Sequence, residues 1–402
     1  MKRAIMLLSL AMTLSVFSVD HVSSMGASSA PSATGPLVKG NTAFALSLYR
    51  QLGAKDGNLF FSPHSVSTAL AMTWAGAREN TEKEMAKALH FTMAQGLVHS
   101  SFKALSADLA DTVKNSGQTL NIANALILTG GDVGRAYRSF LENTYDADIF
   151  RGDLDDVNLW VKKKTDGKIP KILDELDVNS VCVILNAISF KGLWDQPFDK
   201  AKTREAPFHV TDTRTVNTPM MSGKSRYRFL TEQDFQAVSI PYRNNTLSMV
   251  VLLPRTVDGL AALEKQLTAE NLNRWLSGLD ASEPRPLRLS LPKFKLETGF
   301  DLKQPFQALG MNDAFLENIA DFRGMGFAKK GEVWIGQVKH KAFVDVNEEG
   351  TEAAGATAVE MVTKSVSFDP VFRADHPFLF LIRHNGSGSV LFMGRLTDPL
   401  GK

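Results

Sequence analysis

Near its C-terminus the chain contains the stretch NEEGTEAAGATAVEMVTKS, residues 347–365. Alternate positions from Thr351 form a set of small, apolar or short hydroxyl residues: Thr351, Ala353, Gly355, Thr357, Val359 and Met361. The positions between them tolerate water: Glu352, Ala354, Ala356, Ala358, Glu360 and Val362. A period of two predicts a strand with one buried face, yet alanine and glycine are poor residues for a permanent strand. We therefore expect an exposed segment that can also enter a sheet; a helix or a plain linker is the alternative, because alanine and glutamate favour helix.

The residues on both sides of this stretch predict strands. Residues 333–346 mix Trp334, Val338 and Val344 with polar residues, and residues 377–383 form a second apolar run. A mobile segment between two strands could be drawn into their sheet.

The run VKHKAFVDVNEEGTEAAGATA, residues 338–358, resembles the hinge and reactive loop of the serpins, protease inhibitors that trap their target by inserting this loop. The resemblance implies an α+β serpin fold of the inhibitory type. About nine helices would surround three β-sheets, with a large central sheet A and an exposed reactive-centre loop at about 348–372. The implied hinge residues are Glu348, Glu349, Gly350, Thr351, Glu352, Ala353, Ala354, Gly355, Ala356, Thr357 and Ala358.

Further matches extend the resemblance over roughly residues 41–399, so we expect one domain at 41–402. In the run NLFFSP, residues 58–63, Ser62 and the nearby Ser65 are expected beneath the point where the main sheet parts. Asn186 matches the residue that hydrogen-bonds His340 in the family. Trp194, in the run KGLW, is expected to cover the top of the sheet; an ordinary core role for it is compatible with this.

The N-terminus predicts export. Lys2 and Arg3 precede an apolar run, which predicts a secretory signal peptide at 1–18 and a secreted protein. An uncleaved membrane anchor is the alternative, but the run is shorter than the ~20 residues that a membrane span needs. Residues 19–40 are rich in serine, alanine and glycine and are expected to be disordered. The first helix is expected at 42–52, and a bacterial source remains open.

Composition excludes several classes of function. The net charge of +2 over 402 residues gives no indication of nucleic-acid binding. The single cysteine, Cys182, lies in an apolar run, which excludes an internal disulfide and predicts a buried, unreactive thiol. His64 is expected to be structural. The lysines at 162–171 indicate a solvated helix face, with a polyanion site as the alternative.

Catalytic and cofactor motifs are missing from the sequence. The run GSGS at 386–389 is not a nucleophile elbow and predicts a hairpin turn. No His-Glu-x-x-His motif is present, and the eight histidines are scattered. We therefore expect no enzyme, no metal and no cofactor, and a monomer that binds neither membrane nor nucleic acid.

The resemblance implies inhibition of a serine protease as a suicide substrate. Family spacing places the scissile bond at Lys364–Ser365, and a basic residue there suits proteases that prefer Lys or Arg; Met361 or Thr363 is the alternative. About 14 residues separate Gly350 from this bond, a travel of ~46 Å for the attached protease. A non-inhibitory carrier or chaperone is a second hypothesis, but the hinge lacks the bulky, charged or proline residues that such members carry. A general adhesion or structural protein is a third.

Two local features of the sequence affect the expected helix and strand positions. The helix expected to lie across the main sheet begins late, near residue 155, so it is shorter than is typical of the family. Pro292 interrupts the strand predicted at 287–296 and would restrict it to an edge or a bulge.

Overall fold

The computed structural model describes residues 34–129, 131–176, 182–351 and 369–401. Within them the helices are α1 (Gly35–Leu52), α2 (Pro63–Gly76), α3 (Glu79–Ala88), α4 (Gln95–Ser116), α5 (Arg135–Tyr145), α6 (Leu154–Lys164), α7 (Leu260–Gln266), α8 (Ala269–Ala281) and α9 (Lys303–Ala308). The strands are β1 (Leu59–Phe61), β2 (Thr119–Leu128), β3 (Asp148–Phe150), β4 (Cys182–Leu193), β5 (Arg204–Thr211), β6 (Arg214–Thr231), β7 (Phe235–Pro241), β8 (Leu247–Pro254), β9 (Arg285–Pro292), β10 (Phe294–Asp301), β11 (Ile335–Asn347), β12 (Gly350–Thr351), β13 (Val371–Arg373), β14 (Phe378–His384) and β15 (Val390–Leu396).

The strands form one six-stranded and one nine-stranded sheet. The six-stranded sheet, in the order β10-β11-β12-β4-β2-β3, is sheet A. The other follows the order β1-β15-β14-β8-β7-β6-β9-β13, with β5 paired to β6. The 18-residue β6 pairs with β7 at one end and with β5 and β9 over the rest, so it is shared by two lobes. We call these lobe B (β1, β15, β14, β8, β7) and lobe C (β5, β9, β13). The predicted three-sheet serpin fold is confirmed, with two of the sheets joined through β6.

Sheet A separates two apolar cores. The main core lies between sheet A, lobe B and the N-terminal helices, and α2 is buried almost all round, as its small residues allow. A smaller core lies under α6, where Val157 and Val161 pack on β2, β4 and Phe343 of β11. One face of β4 therefore meets the main core and the other meets α6.

Helix α1 begins earlier than the sequence predicts. Pro36 occupies the first turn, where its missing N–H is tolerated, and Leu37 and Val38 are buried in the main core. The prediction of disorder over 19–40 is therefore wrong for residues 35–40, which belong to the folded domain. Residues 1–33, including the predicted signal peptide at 1–18, lie outside the described residues.

The strand predicted at 287–296 is two strands in two sheets. Pro292 ends β9, and after Lys293 the chain enters sheet A as β10. Because proline has no N–H to donate, a change of sheet at this position leaves no sheet hydrogen bond unmade. Among the described residues, no helix has the length and apolar character needed to cross a membrane.

Candidate functional site

The candidate site is the upper end of sheet A, where β4 and β11 separate. Below it the two strands pair in parallel, from Ile335 opposite Cys182 up to Phe343 opposite Ser189. Above that point β12 lies between them. Gly350 pairs with Leu193 and Thr351 with Gly192, and both residues also pair with the end of β11. The first two residues of the predicted insertion segment thus already occupy the gap, antiparallel to both neighbours.

Two glycines allow this close approach. A Cβ on Gly350 would overlap the carbonyl oxygen of Gly192. A Cβ on Gly192 would in turn overlap the rings of Phe190 and Tyr242. A larger residue at Gly350 would push β12 out of the gap, and one at Gly192 would displace the two rings beside it.

Thr351 is fully buried in this gap, on the face that the alternation predicts to point inward. Its hydroxyl lies 2.7 Å from the Tyr242 hydroxyl. The Tyr242 ring stacks on Trp194 with centroids 4.6 Å apart, and Trp194 Nε1 donates to the Asn347 carbonyl at 3.0 Å. Burial raises the pKa of the Tyr242 phenol, so it is a neutral hydrogen-bonding group. Trp194 is therefore a core residue beside β12, and its role in covering the top of the sheet stays a prediction.

Two buried carboxylates hold the chain just before Gly350. Glu348 accepts from Lys293 at 2.9 Å and from Thr203 at 2.8 Å. Glu349 pairs with Lys200 at 2.5 Å. Burial acts to raise the pKa of Glu348, but the bonds from Lys293 and Thr203 outweigh it and the pKa lies below its usual value. Glu348 is thus charged at neutral pH, and its bonds together with the Glu349–Lys200 pair anchor the start of the hinge.

A second polar cluster ties β4 to β11 lower in sheet A. The Asn186 side chain accepts from His340 Nδ1 at 2.6 Å and donates to Asn124 at 2.7 Å and to Ser65. His340 Nε2 accepts from the Ser62 backbone N–H at 3.1 Å. Burial lowers the pKa of His340 to about 3, which agrees with a neutral ring that donates at one nitrogen and accepts at the other.

The cluster unites four residues that the sequence singled out: Ser62, Ser65, Asn186 and His340. It adds Asn124, which sequence reasoning missed although it lies opposite Asn186 in the β2–β4 ladder. An asparagine inside an otherwise apolar strand was the available signal, since buried amides need partners.

The other predicted site residues are distributed as follows. Residues 352–358 of the hinge and the scissile pair Lys364 and Ser365 lie outside the described residues. Cys182 is buried at the lower end of β4, and burial raises its thiol pKa. His64 is also buried, which lowers its pKa to about 4 and agrees with a structural role. Helix α6 begins at Leu154, one residue from the predicted start, with Asp153 as its N-cap.

The basic segment at 162–171 is largely a solvated face. Lys164 pairs with Asp148 and Lys171 with Asp174, all of them at the surface. In the described residues, no group of three or more His, Cys, Asp or Glu side chains is arranged to hold a metal ion.

Comparison with known proteins places the chain in a family. A serpin family model, described as serine protease inhibitor, matches residues 39–399, so the protein belongs to the serpin family and is not an enzyme. Among its relatives, the leukocyte elastase inhibitor of Sus scrofa is 40% identical over 380 residues, covering 89% of this chain and 98% of the relative. Serpin B8 of Bos taurus is 40% identical over 379 residues, with 90% and 99% covered.

Solved structures agree. The thermophilic serpin tengpin in its native state has a TM-score of 0.82 at 28% identity, covering 90% of this chain and 94% of that one. Human thyroxine-binding globulin with its ligand has a TM-score of 0.83 at 26% identity, covering 91% and 99%.

Proposed function

We propose that this serpin is a suicide-substrate inhibitor of trypsin-like serine proteases. The observation that carries the proposal is β12: the start of the loop is already paired with β4 on one side and β11 on the other. The rest of the loop can continue in the same register once a protease has cut it.

Continuing the register of Gly350 with Leu193 down β4 assigns every inserted residue a neighbour. The inward set 351–361 falls opposite β4 residues that face the main core: Gly192, Phe190, Ile188, Asn186, Ile184 and Cys182. Thr357 would lie opposite Asn186, where a hydroxyl can join its hydrogen bonds.

The alternate set falls opposite the α6 face of β4. Glu352 would lie opposite Lys191, an attractive pair, and Ala354, Ala356 and Ala358 would pass beneath α6. The sequence indicates only that this set tolerates water. In the proposed register its alanines would face the apolar cluster that contains Val157 and Val161 of α6, where small side chains fit, whereas Glu360 would lie opposite Val183 of the same cluster.

Insertion exchanges one kind of strand pairing for a better one. The parallel β4–β11 ladder would be replaced by two antiparallel ladders, and antiparallel pairing is slightly more stable per residue. The inward set would also be buried, which favours the inserted state by about 1 kcal/mol or more for each larger side chain. The uncut protein is then a kinetically trapped state.

In this mechanism the target protease supplies the nucleophile. Its serine attacks the Lys364 carbonyl, an ester to the protease forms, and the Ser365 amine leaves with the C-terminal part of the chain. The freed upstream strand then enters sheet A and carries the attached protease ~46 Å down it. The 12 residues of β4 provide about 40 Å of this travel, as far as Met361 opposite Cys182.

Lys364 is the basis for trypsin-like specificity, because a basic residue before the bond suits an acidic specificity pocket. One of the two named relatives is a leukocyte elastase inhibitor, which favours the alternative bonds after Met361 or Thr363. Incubation with trypsin and mass spectrometry of the released C-terminal peptide decides between them. We expect an SDS-stable complex and a peptide beginning at Ser365; Lys364→Met should abolish trypsin inhibition, and unchanged inhibition would refute the assigned bond.

A carrier function is the second candidate, since the fold also matches a serpin solved with thyroxine bound. The incubation with trypsin also distinguishes an inhibitor from a carrier. A carrier would be cut by proteases without forming a covalent complex.

We also propose that the protein is secreted, on the basis of the apolar N-terminal run and its two leading basic residues. Expression of the full chain in a secreting host tests this. We expect an exported protein whose N-terminal sequence begins near Val19, and retention of Met1 on a cell-associated product would contradict it.

A further inference from the structure

One exposed face of lobe C carries a group of cations beside the end of the reactive loop. The Ser222 and Ser290 hydroxyls lie 3.0 Å apart, which shows that these positions of β6 and β9 share a face. By the strand register the same face carries Lys224, Arg226, Arg288, Val371 and Arg373, and all five are exposed. We call these five residues the basic face.

The arrangement works against the stability of the sheet. Lys224 lies directly opposite Arg288 in the β6–β9 ladder, and like charges so placed repel each other. Lys224 pairs with Asp369 at 2.6 Å and Arg373 with Asp375 at 3.0 Å. The core beneath is filled by the other face of β9, Leu287, Leu289 and Leu291, and does not require these cations.

The basic face lies within reach of a protease bound to the reactive loop. Val371 follows Lys364 by seven residues, which span at most about 24 Å. A protein–protein contact of standard size covers about 800 Å² on each partner, a patch roughly 30 Å across. We propose that the basic face is a second contact site for the target protease, and that the target is acidic beside its active site. This inference rests on the proposed function.

The composition of the face favours a protein over a polyanionic chain. Val371, 54% exposed, lies on the edge strand β13 of this face, and Asp369 and Asp375 border it. An exposed apolar side chain beside arginines and carboxylates is typical of protein interfaces, whereas the two carboxylates would repel a polyanion. Cations placed there would raise the rate of encounter with an acidic surface.

The test compares an anionic and a cationic trypsin, each with its active-site serine changed to alanine, so that only reversible docking is measured. Arg226→Glu with Arg288→Glu reverses two charges of the basic face. Lys103→Glu with Lys114→Glu makes the same change in net charge on exposed positions of α4, which packs on α1, α2, α5 and β2.

At low ionic strength we expect the basic-face variant to associate with anionic trypsin about tenfold more slowly than wild type, and the α4 variant within about twofold of it. The difference should vanish near 1 M salt, where charges are screened beyond ~3 Å. Melting curves check that both variants are folded.

Equal rates for the two variants, or no docking of either trypsin, would overturn the proposal. So would a basic-face variant that loses binding to a sulfated polysaccharide while docking trypsin normally. Active trypsin separates this inference from the proposed function. A slower reaction that still yields an SDS-stable complex supports both, whereas charge-dependent docking without any covalent complex from wild type supports the contact site and refutes the inhibitor.

Discussion

At the scale of single residues, Thr351 is where the loop is committed to the sheet. It is the last described residue before the loop, it is fully buried, and its hydroxyl meets Tyr242. The side chain at position 351 must fit between β4 and β11 before later residues of the loop can insert.

Thr351→Arg should therefore convert the inhibitor into a substrate. Burying an unpaired charge costs several kcal/mol, so insertion would be slower than hydrolysis of the acyl-enzyme. Gel electrophoresis in SDS after incubation with trypsin measures the outcome: cleaved serpin without complex. Thr351→Val, nearly the same size and uncharged, is the control that should retain the complex. A normal complex from Thr351→Arg would refute the insertion mechanism.

Buried histidines should make the molecule sensitive to acid. Burial lowers the pKa values of His64 and His99 to about 4 and that of His340 to about 3, against 6.5 in an unfolded chain. The unfolded state therefore takes up protons first as the pH falls below 6.5, and the native state loses on the order of 3 kcal/mol per histidine by pH 4.

We accordingly expect the apparent melting temperature to fall between pH 7 and pH 4.5. His64→Phe, which places an apolar ring in an apolar site beside Phe102, should flatten this fall. Identical pH profiles for the variant and wild type would show that His64 does not contribute. Below about pH 4 the buried carboxylate of Glu348 adds its own loss, because its pKa is lowered.

At the scale of elements, the apolar cluster under α6 lies on the proposed insertion path. Val157 and Val161 belong to this cluster together with Val183, Leu185 and Ala187, on the face of β4 along which Ala354, Ala356 and Ala358 would travel. Small side chains at these three loop positions would fit that path.

Ala356→Phe should slow insertion, because a phenyl ring cannot pass beneath α6 unless the helix moves. We expect more moles of serpin to be consumed for each mole of protease inhibited, measured by titration of residual trypsin activity. Ala356→Ser, small and uncharged, should behave as wild type. If Ala356→Phe consumed no more serpin than wild type, the register proposed from Gly350 and Leu193 would be wrong.

Local pattern predicted most elements and the outline of the site. The period-two alternation gave the inward position of Thr351, and the apolar run around Cys182 gave β4. The sequence did not predict the residues that anchor the hinge. Lys200 contacts Glu349, and Lys293 contacts Glu348, only after the chain has folded. Nothing in their local sequence marks them. The early start of α1 was missed because Leu37 and Val38 stand alone among small residues, and only the core explains them.

At the scale of the whole molecule, the proposed mechanism stores free energy in an incomplete sheet. Of the described residues of the loop, Gly350 and Thr351 lie in the gap between β4 and β11, and below them the two strands pair in parallel. Insertion of the rest of the loop would require this parallel pairing to open.

A molecule nicked in the loop should melt well above the intact one. Burial of Val359 and Met361 alone contributes several kcal/mol, so a rise of about 5 °C or more is expected by differential scanning calorimetry. Nicked Thr351→Arg is the matched control and should show no rise. If nicked wild type melted no later than intact wild type, there would be no stored energy to drive inhibition.

The thiol of Cys182, the single cysteine of the chain, can report when the strands of sheet A separate. It sits on β4 opposite Ile335, at the far end of the ladder that has to unzip. Because the sulfur is buried, we expect an alkylating reagent to reach it while those strands are apart. Insertion of Met361 opposite Cys182 would then bury the sulfur again. Labelling yield as a function of time would thus report when the bottom of the sheet opens, without any engineered probe.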